Sequence, residues 1–196
     1  MPLRLQIHET RSLSDHARLI ARQVDKSLMD PATRKLAVAL ASGTHGFVNL
    51  PDGQGRLVST PVLEYHGRVY RVASRQCKAR DDVCVISNVW NFLVLNVRYT
   101  GDIDTYDTYQ DLRTTLEAGG GDCDDFTIAF GALLRALGIR VVQKIISLDG
   151  NYWAHVYPVA EVNGKPIPLD ATEDGKRMGW EYPYAKTAVA FELQES

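Results

Sequence analysis

The chain is short of cysteine, carries no surplus of either charge and has no long apolar run, and each absence removes a class of protein. Its three cysteines are odd in number and suggest no disulfide framework, so the expectation is a protein made and kept in a reducing cytoplasm. A net charge of -2 with no long basic stretch gives nucleic acid or an anionic membrane little to hold. No apolar segment reaches the roughly 18–20 residues of a membrane span. Residues 1–9 lack the apolar core of a secretory signal. Repeats and low-complexity tracts are missing as well. The remainder is ordinary: 45% hydrophobic and 23% charged over 196 residues, enough for one domain with a real core.

What is present is concentrated in Gly119-Gly120-Gly121-Asp122-Cys123-Asp124-Asp125-Phe126, which runs into an apolar-periodic segment ending at Leu137-Gly138. The spacing predicts a helix that begins at Cys123 and buries Phe126, Ala129, Phe130, Leu133, Leu134 and Leu137. Asp122 suits the N-cap and Asp125 the reciprocal acid of a capping box. The glycines let the backbone approach a substrate or a neighbouring strand closely. A thiol in a first helical turn sees unpaired N–H groups and the positive end of the dipole, which favour the thiolate. Two adjacent acids oppose it. The dipole contributes about 1 kcal/mol, too little to ionise a thiol of pKa about 8.5 by itself. A cation is therefore required, and His155 is the candidate.

Helical spacing also covers residues 12–42, with Ser14-Asp15 as cap and a break at Asp30-Pro31, and residues 81–97 and 110–117. Residues 46–60 read as loop and 61–72 as a hairpin turning at His66-Gly67. A polar, tyrosine-rich loop covers 99–109. Strands are expected at 140–148, 152–162, 165–172 and 187–193, with turns at Asp149-Gly150-Asn151 and Asn163-Gly164. Helices followed by an antiparallel sheet make the class α+β. Residues 1–78 read as an N-terminal helical extension with the hairpin, and 79–196 as the catalytic core, in one compact domain.

The register can be worked out in advance. A two-residue turn at Asn163-Gly164 pairs Val162 with Lys165. His155 and Asp170 then share a face as diagonal neighbours about 7–8 Å apart between backbones, within reach of an imidazole–carboxylate hydrogen bond. Pro158, Pro166 and Pro168 suit an edge strand or a bulge better than a regular ladder. Cysteine, histidine and acid in this order are the arrangement of a cysteine-dependent acyl-transfer enzyme, with Cys123 attacking as thiolate, His155 as its ion-pair partner and later the proton donor to the leaving group, and Asp170 fixing the imidazole tautomer and stabilising its charged form. The Cys123 N–H is a natural oxyanion donor, and Trp90, Tyr99 or Trp153 is a candidate for the second donor or a substrate wall. Cys84 reads as a core residue beside its helix's apolar face. Cys77 and Cys84 do not have a usual zinc spacing, so no metal and no cofactor are expected. His8, His16, His45 and His66 read as solvated.

At these residues the chain resembles the transglutaminase-like superfamily, whose core is a permuted relative of the papain fold. The elements that carry the resemblance are Asn96-Val97-Arg98-Tyr99-Thr100, Gly121-Asp122-Cys123-Asp124-Asp125-Phe126, Leu137-Gly138-Ile139, Trp153-Ala154-His155-Val156 and Leu169-Asp170-Ala171-Thr172, over roughly residues 80–172. The resemblance implies a triad of Cys123, His155 and Asp170. It also implies activity among thiol peptidases, amidases and amide-exchanging transferases, on a peptide or protein substrate. The triple-glycine variant looks most like compact members encoded by tailed bacteriophages and bacteria, which places the protein in a host cytoplasm or a virion. The competing expectation is a non-catalytic binding module, such as a virion or assembly component that keeps the fold.

Overall fold

The computed structural model describes residues 3–6, 12–101, 106–173 and 175–193. The chain begins with a short strand, β1 (Leu3–Gln6). Helix α1 (Leu13–Leu28) follows, started by Ser12 in a capping box with Asp15. Asp30 caps α2 (Pro31–Ser42), whose first-turn proline needs no N–H partner, and Gly43 ends it in the left-handed region at φ 68. Strands β2 (Gly46–Pro51), β3 (Leu57–Tyr65) and β4 (Arg68–Arg71) form a three-stranded antiparallel meander.

Next come α3 (Asp82–Asn96), β5 (Arg98–Tyr99), β6 (Tyr106–Tyr109), α4 (Leu112–Ala118) and β7 (Gly120–Gly121). Helix α5 (Cys123–Arg135) precedes β8 (Val141–Ser147), β9 (His155–Val162), β10 (Lys165–Pro168) and β11 (Thr187–Glu192). The last four strands make one antiparallel sheet in the order β10-β9-β8-β11.

Helix α5 is the axis of the molecule. All its residues from Asp125 to Leu134 are buried, because α1, α2, α3 and α4 pack on it from one side and β8 and β9 from the other. A single cluster of buried residues joins Val24, Leu40 and Tyr65 to Phe92, Phe130 and Val156. At about 1.5–3 kcal/mol for each large apolar side chain fully buried, this packing holds α5, and with it the position of its N-terminus, against the sheet. Alternation along β9 divides the sheet's faces: Val156, Ala160 and Val162 join the main core. Tyr157 and Val159 join a second, smaller cluster with Ile146, covered by Tyr182 and Ala185.

The register matches the expectation at its first pair, Lys165 opposite Val162, with Asn163 and Gly164 both at positive φ as a type I′ turn demands. The prolines fall where missing donors cost least. Pro166 and Pro168 lie on the edge strand β10, and Pro158 presents its carbonyl to the N–H of Leu169 at 2.9 Å.

Several expectations need correction. Residues 46–60 contain strands; the turn is confined to residues 52–56, where Asp52 Oδ1 accepts from the N–H groups of Gln54 and Arg56. The segment 99–109 contributes β6, paired with β1, while residues 102–105 lie outside the described residues. Cys77 and Cys84 are joined in a disulfide across the first turn of α3, with Cα atoms 5.7 Å apart, so Cys84 is more than a core filler and the cysteines are not all thiols. Asp81 caps α3 and bends the preceding chain back over the helix, which brings residues seven apart together. Cys123 is left as the free cysteine. His16 and His66 are partnered too, with Tyr109 Oη at 2.5 Å and Asp30 Oδ2 at 2.6 Å; His8 lies outside the described residues.

Candidate active site

The three sequence candidates come from two places: the N-terminus of α5 and one end of the sheet packed on it. Asp122 fixes the helix start, its Oδ1 accepting from the N–H of Asp124 at 3.1 Å and of Asp125 at 3.2 Å. Asp125 Oδ2 returns the bond to the Asp122 N–H at 3.3 Å, completing the capping box expected from the sequence. Cys123 is the first helical residue, so its own N–H has no intrahelical acceptor and points out of the helix end.

The three glycines each have a place in the scaffold. Gly119 closes α4 in the left-handed region at φ 68. Gly120 and Gly121 pair in parallel with Arg98 and Tyr99, binding the helix start to the end of α3. A Cβ on Gly121 would lie 2.6 Å from Asp125 Cβ and 2.8 Å from Asp125 Oδ2. Asp125 cannot yield, since it is buried and accepts from Gln110 N at 2.7 Å and Gln110 Nε2 at 2.5 Å. Gly121→Ala is expected to destabilise the protein by about 1–3 kcal/mol, read as a lower urea midpoint at unchanged slope; an unchanged midpoint would contradict this packing.

The Cys123 thiol is half-buried, and its hydrogen bond goes to Asp124 Oδ1 at a long 3.9 Å. Burial pushes its pKa well above the ordinary value, the charges of Asp124 and Asp122 push it further, and the N–H groups of Val156 and Asp124 pull the other way. Among the described residues, no hydrogen bond or ion pair joins the thiol to His155. Asp124→Asn, which removes the nearest acid, is expected to speed iodoacetamide alkylation of Cys123 at pH 8 by about three- to tenfold. An equal or slower rate would show that Asp124 does not hold the thiol protonated.

The Val156 N–H reaches the sulfur, and the residue before it is His155. The β10 ladder ends at Pro168 opposite Val159, and two residues on, Asp170 Oδ2 meets His155 Nε2 at 2.7 Å. Asp170 is fully buried. Burial alone would raise its pKa, but the His155 hydrogen bond and charge outweigh it, helped by the Thr172 hydroxyl and N–H, which donate to Oδ1 at 2.7 Å and 3.2 Å. The carboxyl is held below the usual aspartate range. A buried carboxylate on Nε2 fixes the imidazole's tautomer and leaves Nδ1 for another partner.

The other candidates separate. Trp90 is buried in the core with its ring 5.7 Å from that of Phe130, two turns along α5 from Cys123. Tyr99 and Trp153 are both exposed. Tyr99 lines a cleft of about 630 Å³ with Val94, Val97, Arg98, Ala171, Thr172 and Glu173, which begins at the residue after Asp170. Sequence reasoning missed the segment 173–182. Tyr182 packs edge-on against the His155 ring at 5.2 Å and donates its hydroxyl to Glu173, while Tyr157 flanks the imidazole at 5.7 Å and donates to Glu181 at 2.7 Å. Only the aromatic density Trp180, Tyr182 and Tyr184 marked that segment. Among the described residues no cluster of His, Cys, Asp and Glu is arranged to hold a metal ion, and no helix is long and apolar enough to cross a membrane.

An α+β fold with a helix-start cysteine packed against a strand that carries a carboxylate-bound histidine is the pattern of a cysteine-enzyme family. Residues 71–171, just over half of the chain, match the family model of the transglutaminase-like superfamily, and the chain belongs to that superfamily. Among solved structures it is similar to a crystal structure described as a putative cysteine protease from Cytophaga hutchinsonii. The identity is 17% and the TM-score 0.44, over 95% of this chain and 54% of that one, so the chain spans about half of that protein's length. No curated protein matches it.

Proposed function

We propose that the protein is a cysteine-dependent acyl-transfer enzyme acting on peptide or amide bonds, with Cys123 as nucleophile, His155 as proton carrier and Asp170 as the residue that orients and charges it. The observation that carries the reading is the fully buried Asp170 carboxylate held on His155 Nε2 at 2.7 Å, beside the backbone N–H that touches the Cys123 sulfur. A core histidine without a task needs no buried carboxylate, because burying one is costly unless its charge is used.

In this reading the thiol rests protonated. As the sulfur forms its bond to the carbonyl carbon, the thiol proton passes to Nδ1, and Asp170 stabilises the imidazolium. The Cys123 N–H donates to the oxyanion. The imidazolium proton then goes to the leaving nitrogen as the C–N bond breaks, leaving a thioester. Water, or a second amine, attacks the thioester and regenerates the thiol, with His155 taking and returning one proton again. Attack by water gives hydrolysis and attack by an amine gives exchange.

The test is product analysis. The protein incubated with a mixed peptide pool, with and without an added primary amine, is expected to yield fragments with new carboxyl termini or amine-substituted products. A pool left intact under all conditions would overturn the reading and favour a binding or assembly module that keeps the fold.

A further inference from the structure

The ring of Tyr182 occupies a place that the proposed proton transfers do not use. It stands edge-on to the imidazole of His155 at 5.2 Å, and Tyr157 flanks the same ring at 5.7 Å. The side chains of the hydrogen-bonded His155–Asp170 pair are only 11% and 0% exposed, so little water reaches it. Tyr182 is fastened at both ends. Its ring packs on the small cluster of Ile146, Tyr157 and Val159, and its hydroxyl donates to Glu173. The neighbouring residue, Glu181, accepts from Tyr157 Oη and pairs with Lys144, which anchors the segment to β8 and β9. Trp180 meets Tyr182 at a tilt, with ring centroids 4.8 Å apart, and extends the row.

From this geometry we infer that Tyr182 is a positioning residue whose ring, latched by Glu173, shields the His155–Asp170 hydrogen bond from water. A hydrogen bond between an imidazole and a carboxylate strengthens as water is excluded, because the local dielectric falls. The ring is suited to this by being flat, apolar on its face and short of rotatable bonds. The hydroxyl fastens the ring without touching the imidazole. The shielding is a property of the fold; its value for turnover rests on the proposed acyl-transfer reading.

The test reads the shield without turnover. In a Cys123→Ala background with labelled histidine, the proton on His155 Nε2 is expected to give a downfield resonance that exchanges slowly with water. Tyr182→Ala is expected to speed that exchange at least tenfold or to broaden the resonance away, and Tyr182→Phe to keep it within about twofold. Glu173→Gln, an exposed change that loosens the latch and leaves the ring, is expected to speed exchange by a smaller factor. Unchanged exchange in Tyr182→Ala overturns the inference; if that variant does not fold, unchanged exchange in both Tyr182→Leu and Glu173→Gln overturns it. In the enzyme with Cys123 intact, Tyr182→Ala is expected to lower kcat about tenfold with little change in KM, with Phe restoring it. A shielded proton in a protein that turns over no peptide would sink the acyl-transfer reading and leave the shield standing.

Discussion

Cys123→Ala is expected to abolish peptide turnover, by about 10⁴-fold or more, while leaving the unfolding free energy within about 1 kcal/mol of wild type. The hydrogen bond that the thiol donates is a long 3.9 Å and the residue is half-buried, so its structural contribution is small. The capping box that starts the helix uses Asp122 and Asp125 and is untouched. Adding His155→Ala to this variant is expected to cost nothing further, because groups that act on one proton fail together. His155→Ala alone should fall nearly as far as Cys123→Ala. A His155→Ala enzyme that keeps more than about a tenth of wild-type kcat would remove the imidazole from the chemistry, since general acid–base catalysis is worth about 10²–10⁴-fold.

Asp170→Asn carries the second large effect, and it has two readouts. Turnover is expected to fall by about 10²–10⁴-fold, because the amide keeps the shape but not the charge that stabilises an imidazolium. Stability is the other readout. In the folded protein the Asp170 carboxyl is held below the ordinary aspartate pKa of 3.8, so ionised Asp170 contributes stability that is fully present above that value. That contribution is lost as the pH falls through the lowered folded value. The gap in unfolding free energy between wild type and Asp170→Asn is therefore expected to be open at pH 6 and to close as the pH is taken below 3.8. Urea titrations at several pH values measure it; a gap that widens in acid would contradict the sign.

Much of this site was readable because its signals are local. A cap, a capping-box acid and an apolar period follow one another from Asp122 to Leu134, and helix starts depend on little else. The turn at Asn163-Gly164 fixed the register of β9 and β10, and with it which side of the sheet Asp170 would reach. The same reasoning had no purchase on Gly121, whose need for glycine comes from the Asp125 side chain and not from a turn. Trp90 was one of three candidates for the second oxyanion donor, yet its helix buries it against Phe130. Tyr182 and Glu181 lie in a segment without periodicity, and their roles exist only once the outer face of the sheet is formed. The Cys77–Cys84 bond was hidden for a similar reason: it depends on how the chain before Asp81 folds back, and an odd count of cysteines argued for no bond at all.

The thiol's surroundings make the proposed mechanism conditional on one residue. Burial and the charges of Asp124 and Asp122 push the Cys123 thiol's pKa up, so the proposed mechanism needs His155 to take the thiol proton. The direct measurement is the rate of Cys123 alkylation by iodoacetamide from pH 5 to 10, in wild type and in His155→Ala, without reductant so that Cys77 and Cys84 stay bridged. Wild type is expected to react at least about tenfold faster than His155→Ala at pH 7, with the variant's reactivity rising only in the alkaline range. Superimposable curves for the two proteins would mean that His155 does not activate Cys123.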